Sequence, residues 1–349
     1  MAIYMIFSKQ LKSLDRRFFF FRKHIPLLNR LYNTLSKINI ENSIHFTKAK
    51  NELLKKSRDS IEKILAPTRY NGTSNDIPRT IWIYWNSGFE NAPDVVKLGV
   101  ESWQKMNPDY DVKLLSDENL YEFLGFDFSM VFQLSSVRCL LPTKADILRF
   151  YLLSRYGGVW VDATTFCLKP LNLWLPLAAS HCHLFNFKQK NNPTRPIEAW
   201  FIASPQGSEV INDVLQQYID FITKPRKISL YISGKVSLLE KLLSKQELTV
   251  PLDPSVSYRA EKIGFMPYFS VAYFFYESLK NKLSKQQLDI YLRQDNSKML
   301  TNNYALTKDP FSEYKNAFVS KQTYINSYIA SDLYKKRKEL LEERLRLIL

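Results

Sequence analysis

Short apolar runs alternate with longer amphipathic stretches through the middle of the chain. Runs rich in β-branched and aromatic residues predict strands over residues 80–85, 110–115, 159–161 and 198–203. Apolar positions at helical spacing predict helices over residues 93–105 and 144–155. The pair Gly157-Gly158 stops the second helix, as glycine commonly does at a helix C-terminus. This order predicts an α/β fold with a mainly parallel sheet flanked by helices.

The two ends of the chain have a different pattern. Residues 1–66 have periodic apolar positions and few helix breakers, and residues 71–76 (NGTSND) form a polar linker rich in turn residues. Residues 334–349 are amphipathic and basic. We therefore predict a basic helical N-terminal extension and linker (1–76), a central α/β domain (77–330) and a basic C-terminal helix (331–349).

Charge is concentrated in the N-terminal part. The chain has a net charge of +15, and residues 1–70 contain 9 Lys and 6 Arg against 5 acidic residues. Basic residues interleaved with Phe, Leu and Ile predict a helix on an anionic membrane surface, where each cation contributes about 1 kcal/mol. A solvated basic arm, or one packed on its own domain, is the alternative. No nucleic-acid-binding module is recognisable, so a nucleic-acid partner is not predicted.

Cysteine usage and the early hydrophobic run bear on the compartment. The 3 Cys residues are odd in number and form no CxxC pair, which favours a reducing compartment. The apolar run at residues 18–21 is far shorter than the roughly 20 residues of a spanning helix, and it lacks a signal-peptide cleavage site. These features predict a cytoplasmic protein, peripheral on the inner face of the cytoplasmic membrane.

Candidate chemistry lies between residues 146 and 164. Asp146 and Arg149 are three residues apart and share a helical face. Asp162 directly follows a predicted strand, at the edge of a parallel sheet where ligands bind. Carboxylates accept hydrogen bonds from sugar hydroxyls or hold a divalent ion, and a guanidinium presents a planar fork to phosphate. The combination suits a nucleoside diphosphate sugar, although an ordinary surface ion pair is the plainer alternative.

Two blocks of sequence carry a family resemblance. Residues 77–85 (IPRTIWIYW), and residues 145–149 (ADILR) followed by 156–164 (YGGVWVDAT), resemble the capsular polysaccharide synthesis glycosyltransferases. That family is similar to the wider group of DXD sugar transferases that includes the clostridial glucosylating toxins. The resemblance is good over residues 77–205 and implies a GT-A-type nucleotide-sugar-binding fold.

The resemblance also implies roles for individual residues. Asp146 and Arg149 match the helix positions that hold the donor sugar and its diphosphate, and Asp162 matches the first Asp of the DXD motif. Tyr84 or Trp85 lies where a ring stacks on uracil, with core packing as the alternative for each. These matches imply a UDP-sugar donor and retention of anomeric configuration.

The donor-binding set extends to four further residues. Gly157, Gly158 and Thr164 belong to the matched central block, and Lys321 falls where the family tends to carry a late basic motif. Lys321 could neutralise the leaving diphosphate, or it could be a solvent-facing lysine.

Thr164 departs from the DXD pattern because it replaces the second Asp. The resemblance implies a divalent cation, Mn²⁺ or Mg²⁺, at Asp162. A hydroxyl is a poor metal ligand, so three arrangements stay open. Asp162 could hold the cation with phosphates and water, Asp253 could contribute, or no metal is needed.

The sequence thus predicts a glycosyltransferase that moves a sugar from a nucleotide-sugar donor to a saccharide or lipid-linked glycan acceptor in capsular or other cell-surface polysaccharide biosynthesis. Two alternatives come from other classes of protein. One is a non-catalytic nucleotide-sugar or glycan-binding assembly factor of the same fold. The other is a basic protein that binds membranes or nucleic acid through its N-terminal arm.

Overall fold

The structure is a computed structural model, and it describes residues 49–66, 76–135, 137–138, 141–188, 197–224, 226, 230–233, 255–262, 264–294, 296, 299–301 and 310–348. The predictions made for residues 1–48, including the membrane-binding arm, lie outside these ranges. Asp253, the distant candidate metal ligand, also lies outside the described residues.

The central sheet has five strands in the order β2-β1-β4-β7-β6. They are β1 (Thr80–Tyr84), β2 (Asp111–Leu115), β4 (Gly158–Val161), β6 (Phe185–Lys188) and β7 (Ile197–Ser204). β1 pairs in parallel with both β2 and β4, whereas β7 pairs antiparallel with β4 and with β6. The predicted α/β fold is confirmed, with antiparallel strands added on one side of the parallel core.

The helices surround this sheet, and the predicted helices at 93–105 and 144–155 are each present within a few residues of the predicted bounds. The helices are α1 (Ala49–Leu65), α2 (Asp94–Met106), α3 (Leu120–Leu124), α4 (Val131–Leu134), α5 (Leu141–Tyr156), α6 (Leu175–Ala179), α7 (Glu209–Thr223), α8 (Ser255–Lys262), α9 (Ser270–Lys282), α10 (Lys285–Arg293), α11 (Pro310–Asn316), α12 (Asn326–Ile329) and α13 (Asp332–Arg346).

Alternate residues of the central strands face two separate hydrophobic clusters. Trp82 and Trp160 pack with helices α5, α7 and α9 on one face, and Ile83 and Val161 pack with α2 and α13 on the other. Both faces of the sheet are therefore buried, which explains why β1 and β4 are continuous apolar runs.

Two smaller sheets complete the strands. One consists of β10 (Leu300–Thr301), β11 (Val319–Lys321) and β5 (Thr165–Cys167), and the other of β3 (Val137–Arg138), β8 (Leu230–Ser233) and β9 (Phe265–Pro267). β11 pairs antiparallel with β5, in a register that sets Lys321 opposite Thr165. This pairing brings the late part of the chain to the carboxyl end of β4.

The terminal helices of the described region pack on the central domain. In α1, Ile64 is buried and Ser60 Oγ donates a hydrogen bond to the Asp127 carbonyl oxygen at 2.6 Å. In α13, Leu341 and Leu345 are buried in the cluster that also contains α2. Within the part of the chain that the structure describes, no helix is both long and apolar enough to cross a bilayer.

Candidate active site

A cleft of about 580 Å³ opens at the carboxyl ends of β1 and β4. Its walls combine charged, aromatic and apolar side chains from the two strands, α5, β7, the start of α9 and the segment after β11. The lining residues are Tyr84, Trp85, Asn86, Leu141, Pro142, Ala145, Asp146, Arg149, Trp160, Asp162, Ala163, Thr164, Ile197, Glu198, Ala199, Trp200, Tyr268, Phe269, Val271, Ala272, Lys321 and Tyr324. The cleft therefore lies at the sheet edge expected of an α/β ligand site.

The three residues predicted to carry the chemistry meet in this cleft. Arg149 Nη1 donates to Asp146 Oδ1 at 2.9 Å, and Arg149 Nη2 donates to Asp162 Oδ1 at 2.8 Å. Asp146 and Arg149 lie one helical turn apart in α5, and Asp162 is the first residue after β4. The sequence prediction that two carboxylates and one guanidinium converge here describes the observed arrangement.

The Arg149 side chain is the most buried member of the cluster, at 5% exposure. Its guanidinium lies over the Trp160 ring, 5.0 Å from the ring centroid, and Trp160 Nε1 donates to Asp162 Oδ1 at 3.1 Å. The two carboxylates thus take up both ends of the guanidinium fork. Arg149 holds Asp146 and Asp162 in place and leaves less of its fork open to a phosphate than the sequence alone implied.

The two carboxyl groups differ in their electrostatics. Burial raises the pKa of Asp146 to about 7, with Arg149 opposing the shift and Asp162 adding to it. Burial would also raise the pKa of Asp162, but Lys321 and Arg149 outweigh it and hold that pKa below its ordinary value. Asp162 is therefore firmly ionised at neutral pH, whereas Asp146 is close to its titration midpoint.

Lys321 is the second cation of the cluster and reaches Asp162 from the opposite side. Its Nζ atom donates to Asp162 Oδ2 at 2.5 Å and to Thr164 Oγ1 at 3.0 Å. The backbone N–H of Gln322 donates to the Thr164 carbonyl oxygen at 2.7 Å, which extends the β11–β5 pairing into the cleft. Lys321 therefore lines the cleft and contacts Asp162, and its role towards a diphosphate stays a prediction.

Hydrogen bonds and close packing against α2 hold the turn that contains Asp162 and Thr164 in place. Thr165 Oγ1 donates to the Asp162 carbonyl oxygen at 2.7 Å, and Trp103 Nε1 donates to Thr165 Oγ1 at 3.0 Å. A Cβ atom placed on Gly99 of α2 would lie 2.9 Å from the carbonyl oxygens of both Ala163 and Thr165. Helix α2 can approach the turn this closely only because Gly99 has no side chain.

An aromatic wall lies beside the charged cluster. Trp85 and Tyr324 contact edge to face with ring centroids 5.5 Å apart, and Tyr324 is more than half exposed. Tyr84 is buried, and its hydroxyl donates to Asp117, which also accepts from Lys144 Nζ at 2.7 Å. Both rings named from the sequence line the cleft, and Trp85 also contacts the exposed Tyr324 ring.

Gly157 and Gly158 do not belong to the lining of the cleft, so their predicted donor-binding role needs correction. Gly158 is the first residue of β4 and Gly157 directly precedes it, so the pair lies at the end of the strand opposite Asp162. Both have positive φ angles, 66° and 96°. A Cβ atom would lie 2.5 Å from the Gln206 nitrogen at Gly157 and 2.5 Å from the Thr80 carbonyl oxygen at Gly158. The pair allows the tight connection between α5 and β4.

Among the cleft side chains that sequence reasoning missed are Glu198, Tyr268 and Tyr324. Glu198 is an almost fully buried carboxylate on β7, two residues before Trp200, and both line the cleft. A glutamate inside the apolar run IEAWFIA was the signal available for it. Tyr268 precedes α9, and burial, together with Asp146 and Asp162, raises the pKa of its hydroxyl. Tyr324 had no local signal.

The described residues contain no group of three or more His, Cys, Asp and Glu side chains positioned to hold a metal ion. Asp162, the predicted ligand, has both carboxylate oxygens within hydrogen-bonding distance of protein donors: Arg149 and Trp160 at Oδ1, and Lys321 at Oδ2. Thr164 supplies a hydroxyl that already accepts from Lys321. This donor set does not fit a resident divalent cation, which needs several free oxygen ligands.

Comparison with protein-family models shows which family the chain belongs to. The family model described as capsular polysaccharide synthesis protein matches residues 30–343. The chain belongs to this family. The match extends through the cleft, from β1 to Lys321, and includes both blocks of sequence that carried the resemblance. The predicted family membership is thus confirmed.

Curated relatives are sugar transferases of fungi. The chain is 31% identical over 143 residues to the initiation-specific alpha-1,6-mannosyltransferase of Saccharomyces cerevisiae, covering 39% of this chain and 29% of the relative. It is 26% identical over 150 residues to inositol phosphoceramide mannosyltransferase 1 of Schizosaccharomyces pombe, covering 42% and 44%. The matched segment therefore spans less than half the length of these relatives.

Similar solved structures include a toxin catalytic domain and a further glycosyltransferase. The catalytic domain of alpha-toxin from Clostridium novyi matches with 12% identity and a TM-score of 0.34, covering 77% of this chain and 86% of the toxin domain. The PaToxG glycosyltransferase matches with 14% identity and a TM-score of 0.29, covering 69% and 91%.

Proposed function

We propose that this protein is a glycosyltransferase that binds a nucleoside diphosphate sugar in the cleft and transfers the sugar to a saccharide hydroxyl. Family membership and the names of the fungal relatives support sugar transfer as the reaction class. UDP as the nucleotide, a GT-A-type donor site and retention of anomeric configuration are parts of the proposal that rest on the sequence resemblance.

One observation carries the proposal: Asp146, Arg149, Asp162 and Lys321 form a connected charged cluster in a cleft that also has an aromatic wall. A nucleoside diphosphate sugar has an aromatic base, a dianionic diphosphate and a polyhydroxylated ring. The cleft offers a partner of matching chemistry for each of these three groups.

Within this proposal, each part of the cleft has one task. Trp85, with Tyr84 behind it, faces the base, and Lys321 faces the diphosphate. Asp146 accepts hydrogen bonds from hydroxyls of the donor sugar. Arg149 is a positioning residue that fixes both carboxylates, because its fork is already shared between them.

The transfer step needs the leaving diphosphate to be stabilised. As the bond between the anomeric carbon and the diphosphate oxygen breaks, its electron pair remains on the diphosphate. A fixed cation beside that oxygen lowers the energy of the developing charge. The acceptor hydroxyl oxygen forms the new bond to the anomeric carbon, and its proton passes to the departing diphosphate.

The acceptor and the location of the protein are further parts of the proposal. We take the acceptor to be a saccharide or lipid-linked glycan of the cell surface, in agreement with the family description. The basic N-terminal arm, residues 1–48, would hold the protein on the anionic inner face of the cytoplasmic membrane. Removing residues 1–48 should then release the protein from anionic vesicles without abolishing nucleotide binding in the cleft.

A thermal-shift screen tests donor binding. Purified protein is heated with UDP, GDP, CMP and their sugar conjugates, and a ligand at 100 times its dissociation constant should add about 2.7 kcal/mol of stability. Lys321→Met should lose the shift, and Lys335→Met should keep it because Lys335 is an exposed residue of α13. Binding without sugar transfer would favour the assembly-factor alternative. A folded protein that no nucleotide stabilises would contradict the donor site.

A further inference from the structure

The Asp162 carboxylate lies between two protein cations. Its Oδ1 atom faces Arg149 and Trp160, and its Oδ2 atom receives the Lys321 ammonium at 2.5 Å. In a two-aspartate motif, these oxygens would face a divalent cation. Here, the ammonium group of the Lys321 side chain contacts Oδ2 instead.

Two hydrogen bonds and the pairing of the surrounding backbone hold the Lys321 ammonium in place. Thr164 Oγ1 accepts a second hydrogen bond from Nζ at 3.0 Å. The backbone around Lys321 is tied to the same turn, because β11 pairs with β5 and the Gln322 N–H donates to the Thr164 carbonyl oxygen. The lysine side chain keeps 21% exposure, so its ammonium can also reach a ligand in the cleft.

Thr164 suits an ammonium better than it suits a metal ion. A hydroxyl accepts a hydrogen bond from an ammonium without adding charge, whereas it is a weak ligand for a hard dication. An aspartate at this position would add a negative charge beside Asp162 and favour a dication. Asp162 and Thr164 thus both accept hydrogen bonds from the Lys321 ammonium, as two acceptors of one cation.

We propose that the Lys321 ammonium takes the place of the divalent cation, so that sugar transfer by this protein needs no added metal. The proposal rests on the proposed glycosyltransferase function and specifies how that site meets the negative charge of its substrate. Lys321 neutralises the diphosphate that leaves with the electron pair of the broken bond. A dication brought to Asp162 would meet the charge of Lys321 and is disfavoured.

The first test measures release of nucleoside diphosphate with EDTA and with added Mn²⁺ or Mg²⁺. The wild type should be as active in EDTA as with either metal, within about twofold. Lys321→Ala should lose on the order of 100-fold in EDTA, a loss typical of removing one group that stabilises the leaving charge. Lys321→Arg should retain much of the rate because it keeps a cation, and Lys335→Ala should match the wild type.

A double variant supplies the converse test. Thr164→Asp combined with Lys321→Ala restores two carboxylates at the turn and removes the competing cation. This variant should be inactive in EDTA and should regain activity with Mn²⁺. Wild-type activity that EDTA abolishes and Mn²⁺ restores would overturn the proposal.

Manganese binding gives a reading that does not depend on turnover. Mn²⁺ is titrated in the presence of UDP and followed by electron paramagnetic resonance. The concentration of unbound Mn²⁺ should be the same with the wild type as with UDP alone, and it should fall when the double variant is present. Uptake of Mn²⁺ by the wild type at Asp162, lost in Asp162→Asn, would overturn the proposal even if no donor is turned over. Absence of turnover from every donor in every buffer would instead refute the proposed glycosyltransferase function.

Discussion

Removing the charge of Asp146 and of Asp162 should have opposite effects on folding stability, although both carboxylates bind the same arginine. Each change to asparagine keeps an oxygen that can accept a hydrogen bond from Arg149. Burial raises the pKa of Asp146 to about 7, so the folded protein disfavours its charge. Lys321 and Arg149 overcome burial at Asp162 and lower its pKa, so the folded protein favours that charge.

The sign for Asp146 follows from proton linkage. Between pH 3.8, its ordinary pKa, and about 7, the unfolded chain releases a proton that the folded protein keeps. The wild-type free energy of unfolding therefore falls across this window as pH rises. The full shift corresponds to about 4 kcal/mol, and we expect roughly half because the carboxylate faces an open cleft. At pH 8, Asp146→Asn should equal or exceed the wild type in stability, by up to ~2 kcal/mol.

The sign for Asp162 is the reverse. Its charge stabilises the folded protein above the ordinary pKa, and this contribution is lost as pH falls through the lowered pKa of the folded state. Asp162→Asn leaves Arg149 and Lys321 without an ionised carboxylate between them. Removing one partner of a buried pair costs about 3–5 kcal/mol, and the partial exposure of Asp162 and Lys321 reduces this to ~2 kcal/mol.

Urea unfolding at pH 5.5 and pH 8, at matched ionic strength, measures both effects. Asp111→Asn is the control, because that carboxylate is exposed and pairs only locally with Lys113; its stability should change by less than about 0.5 kcal/mol. Equal destabilisation by both active-site variants, unchanged between the two pH values, would refute the assigned electrostatics of the cluster.

Three further predictions concern the turn that carries Asp162, a buried lysine on β6 and the aromatic wall of the cleft. Gly99→Ala should destabilise the protein by about 1–3 kcal/mol in urea unfolding, because the added Cβ atom would displace the turn that ends at Thr165. The same displacement should slow sugar transfer. An unchanged rate of sugar transfer would contradict this packing. Lys188→Met should raise the free energy of unfolding at pH 6 by roughly 2–4 kcal/mol, because burial lowers the pKa of Lys188 to about 7 and the folded protein disfavours its charge. The wild type recovers stability as pH rises towards 10.5, so the difference between variant and wild type should shrink at pH 9.5. A difference that stays the same at pH 9.5 would contradict this prediction. Trp85→Leu and Tyr324→Leu should each weaken nucleotide binding about 2- to 12-fold in calorimetry, the size expected of an aromatic contact worth about 0.5–1.5 kcal/mol. An unchanged nucleotide affinity in both variants would show that the aromatic wall is not part of the donor site.

Local patterns were enough to predict the elements that carry the first part of the site. Strand β1 and helix α5 have strong signals, because an apolar run bounded by turn residues and a helix ended by glycines are local features. The spacing of Asp146 and Arg149 placed them on one helical face, and Asp162 followed from the end of a strand. These parts of the prediction needed no knowledge of distant contacts.

Contacts between distant parts of the chain explain what the sequence could not predict. Lys321 reaches Asp162 across 159 positions through the β11–β5 pairing, which no local pattern specifies. Glu198 and Tyr268 enter the cleft through strand and helix packing. The glycine pair shows the opposite error: its place in a family motif suggested donor binding, whereas positive φ angles and close backbone contacts account for it.

The most direct test of the account is release of nucleoside diphosphate from a panel of UDP-, GDP- and CMP-linked sugars, comparing the wild type with Asp162→Asn and the Asp111→Asn control. The account predicts release from at least one donor by the wild type and the control, and a loss of at least 100-fold in Asp162→Asn that still unfolds cooperatively. Equal release by the wild type and Asp162→Asn would contradict the assignment of this cleft as the active site.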